Sequence, residues 1–230
     1  MDNKNQILKI IKLCYLIILP IFYEVLVIIL LKILGINYAN MSGFNKIIIN
    51  SCADILFMTS LLIFFRKDLI RNIRDFKKNP SLGLAIKYWL IGFGIMIFSN
   101  RIITLINGGS ISGNEEAVRE LLFKYPFYML FQVSIYAPFT EEIIYRKAIG
   151  DLINNKYIYV LISGLAFGGM HIVGSYRSVL DLLFIIPYAS LGCCFALLYR
   201  KTNNIFSTIF IHSLHNTLTF ILLIFLEVIR

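Results

Sequence analysis

Residues 205–226 read IFSTIFIHSLHNTLTFILLIFL. The run holds no lysine, arginine, aspartate or glutamate. At 1.5 Å per residue a helix of this length spans ~30 Å, the thickness of a bilayer hydrocarbon core. Yet it carries His212, Ser213, His215 and Asn216 close together. Polar groups in a segment built to cross hydrocarbon face a partner helix or an internal cavity rather than lipid. The stretch therefore predicts a membrane-crossing helix with a polar face turned inward.

Working outward, six further apolar runs share this character, at about 13–34, 47–65, 88–106, 126–149, 157–173 and 179–199. Of the 230 residues, 58% are apolar and 15% charged. Soluble domains average ~45–50% and ~25%. The expected fold is all-α, a polytopic transmembrane bundle of about seven helices. The net charge of +9 does not point to nucleic acid, because the cations sit in short clusters between apolar runs, as topology signals do. With the N-terminus in the cytoplasm, 15 lysines and arginines fall on the inner side and 6 on the outer. This predicts a multi-pass protein of the cell membrane with a cytoplasmic N-terminus and an extracellular C-terminus. Cys14, Cys52, Cys193 and Cys194 all lie inside apolar runs, so they read as small packing groups rather than a disulfide or thiolate metal site.

The informative polar residues inside the runs are Glu24, Asp54, Arg101, Glu141, Glu142, His171, Asp181, His212, His215 and Asn216. Glu142 and Arg146 are four apart on one helix face and predict an ion pair. Glu141 is its immediate neighbour, about 100° round the helix, so the two glutamates are expected to point in different directions. A carboxylate left unpaired in a dry site is suited to act as a base. Gly164, Gly168 and Gly169 give the fifth run a smooth face for close helix packing, with Phe167 and His171 one turn apart. His212 and Asn216, also one turn apart, could donate to a developing oxyanion. Counted along their helices, Glu141 and His212 lie ~12–13 Å from the inner loops and His171 ~21 Å from its helix start. Modest tilt brings them to one level. Glu141, His171, His212 and His215 are also the side chains that could hold a divalent metal such as zinc, so a cofactor-free site and a metal site both stay open.

The order Glu141-Glu142-x-x-x-Arg146, Phe167-x-x-x-His171, His212-x-x-x-Asn216 resembles the CPBP family: the CAAX-processing and bacteriocin-processing intramembrane endopeptidases, also called Abi proteins. The resemblance covers about 122–220. It implies a catalytic helical core there, preceded by N-terminal transmembrane helices and a basic cytoplasmic loop over 1–121 and followed by the end of the last helix over 221–230. It further implies that Glu141 activates water together with His171, that His212 and Asn216 bind the oxyanion, and that Glu142, Arg146 and Phe167 support them. The family has been described both as metalloproteases and as metal-free glutamate enzymes. The implied partners are the lipid bilayer and a peptide or membrane-protein substrate. Two other readings of the same bundle are a non-enzymatic bacteriocin self-immunity or scaffold protein, and a transporter using Glu24, Asp54, Arg101 and Asp181.

Overall fold

A computed structural model describes residues 3–229; the side chains of 3–6, 8, 12, 20, 21 and 24 fall outside the description, and with them the expectation placed on Glu24. Among the described residues there is helix and no strand, as a lipid environment demands. With no water to satisfy backbone N–H and C=O groups, each segment must bond internally. Each of the seven apolar runs lies on helix. The chain divides into two compact units, 1–70 and 71–230.

In the first unit, α1 (Asn3–Ile33) packs on α2 (Gly43–Phe64). Tyr23 Oη and Ser60 Oγ lie 2.7 Å apart in a hydrogen bond between them. Ser42 caps α2 by accepting from the Asn45 amide. The helix α3 (Arg66–Lys78) is short and charged. In the second unit, Asn72 accepts from the Ile205 amide and its carbonyl takes a bond from Asn204 Nδ2, each 2.8 Å.

The remaining helices of the second unit are α4 (Leu82–Ile106), α5 (Gly113–Lys124), a long helical stretch over 126–152 called α6, α7 (Lys156–Met170), α8 (Ile185–Thr202) and α9 (Ile205–Val228). Four spans are long and apolar enough to cross a membrane: Gly43–Phe64, Leu82–Ile106, Val179–Thr202 and Ile205–Val228. Of these, Val179–Thr202 has over half of its most apolar window buried, against under a fifth for the others, so α8 is the central post. It packs on α4 and α9 through Ala85, Leu191, Phe195, Leu198 and Ile211.

Glycine sets the contact between α7 and α8. A Cβ on Gly164 would fall 2.2 Å from Cys193 Sγ, and one on Gly168 would fall 2.8 Å from both the Ala189 nitrogen and the Ile185 oxygen. Gly192 answers from α8, where an added Cβ would fall 3.0 Å from the Gly164 Cα. The close packing predicted from small residues is present, but Gly169 takes no part, with nothing within 4 Å of its would-be Cβ.

Two irregularities place the site. α6 is interrupted by π-helical turns at Gln132–Tyr136 and Glu142–Ala148, a feature that rotates side chains off the ordinary helical register and is frequent at functional positions. The 15 residues of α7 reach only ~22 Å, less than a hydrocarbon core. Its C-cap, His171, is half-buried and Ile172 is buried, while the turn from Val173 onward is mostly exposed. Ser175 Oγ donates to the His171 and Ile172 carbonyls there.

Candidate active site

Arg146 is the organising cation. It is fully buried, as is Glu142. Arg146 Nε donates to Glu142 Oε2 at 2.9 Å and Nη2 to Oε1 at 3.2 Å, a two-pronged pair of the kind a planar guanidinium favours. Nη1 turns away and donates to Ser163 Oγ on α7 at 3.0 Å. Ser163 passes its own proton to the Tyr145 carbonyl at 2.8 Å. The guanidinium lies over the Phe167 ring, 4.7 Å from the centroid, and near Phe195 of α8 at 5.9 Å. Three helices thus surround one charge, which offsets the large cost of burying it.

The predicted Glu142–Arg146 pair is present, but Glu142 does more than neutralise. Its Oε1 meets His212 Nδ1 at 2.9 Å. A carboxylate so placed accepts, so Nδ1 carries the proton and Nε2 is the nitrogen left for chemistry. Nε2 faces Glu141 Oε2 at 3.9 Å. The two glutamates leave the helix in different directions and approach one imidazole from its opposite nitrogens.

The two carboxylates differ in every other respect. The Glu142 side chain has no solvent exposure, while that of Glu141 is 25% exposed. Glu141 Oε2 is itself buried and has no hydrogen-bond partner among the described residues. A buried carboxylate oxygen without a donor is costly and uncommon.

His171 sits beside this group across Phe167. The Phe167 ring is 4.6 Å from the His171 ring and 5.7 Å from that of His212. His171 Nδ1 lies 2.8 Å from the Phe167 carbonyl, which can only accept, so here too the proton is on Nδ1 and Nε2 is available. Asn216 Nδ2 donates to the Val133 carbonyl at 3.0 Å, leaving one amide hydrogen uncommitted. That bond belongs to a seam in which Ser213 donates to the Ser134 carbonyl and Thr217 to Ser134 Oγ, fastening α9 to the first π-turn of α6.

His215 is turned elsewhere. Its Nδ1 accepts from Trp89 Nε1 of α4 at 3.2 Å, and its ring stands edge-on to Phe93. This is the opposite tautomer from the other two histidines. Among the described residues, no three histidine, cysteine, aspartate or glutamate side chains come together as a metal site. The set Glu141, His171, His212 and His215 does not converge on one point, and the donors present do not fit a three-ligand ion. Asp181 lies apart, accepting from the Arg177 and Ser178 amides and from Asn107, while Arg101 is exposed.

Sequence reasoning missed Ser163, Trp89 and the Val133 carbonyl. A serine in an apolar run and the single tryptophan were visible signals, but neither names its partner. Tyr188, stacked on His171 at 4.5 Å with its hydroxyl on Ser112 and Asn114, was also missed.

Two carboxylates, an imidazole hydrogen-bonded to one of them and a buried guanidinium gather inside an all-α membrane bundle. The sequence profile of the Type II CAAX prenyl endopeptidase Rce1-like proteins matches residues 123–218, which contain every one of these groups. YdiL of Bacillus subtilis, provisionally named a membrane peptidase, is 31% identical over 191 residues, covering 80% of this chain and 72% of that one. MroQ of Staphylococcus aureus, a membrane-embedded CAAX protease, is 30% identical over 162 residues, covering 60% and 62%. The UPF0177 protein YvdC of Lactococcus lactis is 28% identical over 161 residues, covering 69% and 59%. No solved structure matches the chain. The chain belongs to the CAAX-protease (CPBP) family of membrane peptidases. It spans 59–72% of the lengths of these relatives.

Proposed function

We propose that this protein is an intramembrane endopeptidase that hydrolyses a peptide bond in a peptide or membrane-protein substrate, with Glu141 as the base. One observation carries the reading: the unpartnered Glu141 Oε2 lies 3.9 Å from His212 Nε2, whose other nitrogen is held by Glu142. That separation is too long for a direct hydrogen bond and suits a shared water.

Glu141 takes a proton from this water as its oxygen attacks the substrate carbonyl carbon, a role worth about 10²–10⁴ in rate. The C–O bond forms and the carbonyl becomes an oxyanion. Donors aimed at it are the free amide hydrogen of Asn216 and His212 Nε2 when both ring nitrogens carry protons, each worth ~3–4 kcal/mol in a water-poor pocket. His171 Nε2 assists Glu141 in orienting the water. Glu141 then returns the proton to the leaving nitrogen as the C–N bond breaks, giving an acid and an amine. Glu142 and Arg146 act through His212, and Phe167 acts by separating the imidazoles. In this reading the N-terminus is cytoplasmic and the C-terminus extracellular, as the lysine and arginine distribution supports.

The test uses the purified full chain in detergent with a panel of peptides, read by mass spectrometry. Wild type is expected to cleave at a defined bond, and Glu141→Gln is not. Cleavage is expected to survive chelation with EDTA. Cleavage by Glu141→Gln would overturn the role of Glu141. Loss on chelation that zinc restores would replace the metal-free step.

A further inference from the structure

At the end of α8 and the start of α7, remote in sequence from the glutamate pair, lies a cavity of about 360 Å³ lined by Asn154, Lys156, Arg200 and Lys201. Three of these four carry positive charge and none is a carboxylate. Arg200 is the fixed member. Its Nη2 donates to the Ile153 carbonyl and, at 3.3 Å, to that of Asn154. Its guanidinium stacks on Tyr159, 4.5 Å from the ring centroid. So anchored, it still has a buried Nε–H without an acceptor among the described residues. Lys156 and Lys201 are exposed at the opening, Lys156 Nζ lying 5.7 Å from the Tyr157 ring centroid. Lys156 also begins α7, so the helix N-terminus adds positive potential.

Position identifies the ligand. Arg200 and Lys201 close the span Val179–Thr202, and Ile205 opens the next, Ile205–Val228. A pocket at the junction of two membrane-crossing helices lies at the level of lipid headgroups. Basic pockets between such helices accept phosphate-bearing headgroups. We propose that this cavity binds the phosphate of an anionic phospholipid, with Arg200 as the anchored cation and Lys156 and Lys201 as exposed charges at its opening. An excess of cations set by topology needs neither a cavity nor an arginine anchored on two carbonyls and a ring. Both are found here. A headgroup in this place ties the α6–α7 connection to the α8–α9 connection, which between them flank the helices carrying Glu141, His171 and His212.

The full chain, purified in a neutral detergent, is titrated with phosphatidylglycerol and with phosphatidylcholine, and bound lipid is counted by native mass spectrometry. Phosphatidylglycerol is expected to bind more tightly. Lys156→Gln and Lys201→Gln are each expected to weaken it about fivefold, with melting temperatures reporting that both variants stay folded. Lys77→Gln, on α3, is the charge-matched control for each and is expected to leave binding unchanged. Millimolar inorganic phosphate is expected to compete, since the recognised group is shared. Equal retention of both lipids, or equal weakening by the α3 control, would overturn the site. Phosphate binding without lipid binding would overturn the lipid assignment and make this a small-anion site.

Discussion

Two adjacent glutamates, changed in the same way, should fail for opposite reasons. Glu142→Gln removes the counter-charge of Arg146, both side chains being fully buried. Breaking one partner of a buried pair costs about 3–5 kcal/mol, because the surviving charge is left uncompensated. For a chain of this size that corresponds to a fall in melting temperature of roughly 6–20 °C. The amide keeps one acceptor oxygen for His212 Nδ1 but sets an NH2 against the Arg146 donors, so the hold on His212 loosens and whatever survives folding should also be slow. Glu141→Gln removes no ion pair closer than 3.9 Å and no hydrogen bond from Oε2. Its melting temperature should stay within about 2 °C of wild type, as for changes of under ~0.5 kcal/mol, while cleavage falls by about 10²–10⁴. Thermal unfolding in detergent and peptide cleavage on the same preparations give both readouts. The reasoning fails if the two variants melt alike, or if Glu141→Gln cleaves at the wild-type rate.

Three further outcomes follow from the same contacts. Replacing the pair together, Glu142→Leu with Arg146→Met, should recover most of the melting loss of Glu142→Gln without recovering cleavage, since an apolar pair removes the stranded charge; no recovery would mean that the pair is not what stabilises α6. Gly168→Ala should destabilise by about 1–3 kcal/mol through overpacking against the Ala189 and Ile185 backbone, outweighing the ~1 kcal/mol that alanine adds to helix propensity. Gly169→Ala, with open space around it, should be neutral or stabilising, and the order of the two melting temperatures checks this. Trp89→Phe should cost about 1 kcal/mol by removing the bond to His215 and leave cleavage within twofold; abolished cleavage would place His215 in the reaction.

Helices were legible in the sequence because membranes leave so little choice. Runs such as 88–106 and 205–226 are long and apolar, and in hydrocarbon that means helix. The Glu142–Arg146 pair was legible because i,i+4 neighbours share a face without help from the rest of the fold. Rotation and irregularity were not. The π-turn at 142–148 leaves no mark in composition, and neither does the placement of His212 between two adjacent carboxylates. That His171 caps a short helix was hidden because the apolar run continues past it to Val173. His215 and His212 lie three apart and look equivalent in sequence, yet one faces Trp89 and the other Glu142. Apolar residues outline both the lipid-facing and the buried sides of such helices, so sequence pattern alone cannot say which way a histidine turns.

The arrangement also explains why three acid–base side chains need a fourth, silent charge. Two carboxylates on one turn repel each other strongly where water is scarce. Arg146 cancels Glu142 through two hydrogen bonds, and Ser163, Phe167 and Phe195 hold the guanidinium in place. With that charge matched, Glu141 is the one acidic group of the pair left to respond to an incoming molecule. Its oxygen has no competing donor, so a water or a substrate amide is the first partner it meets. A lysine in place of Arg146 would keep the charge but not the fork that grips both oxygens of Glu142. Arg146→Lys is therefore expected to let Glu142 rotate away from His212 Nδ1, slowing cleavage while costing less stability than Glu142→Gln. Wild-type cleavage in Arg146→Lys would show that charge alone, and not the held geometry, is what the site requires.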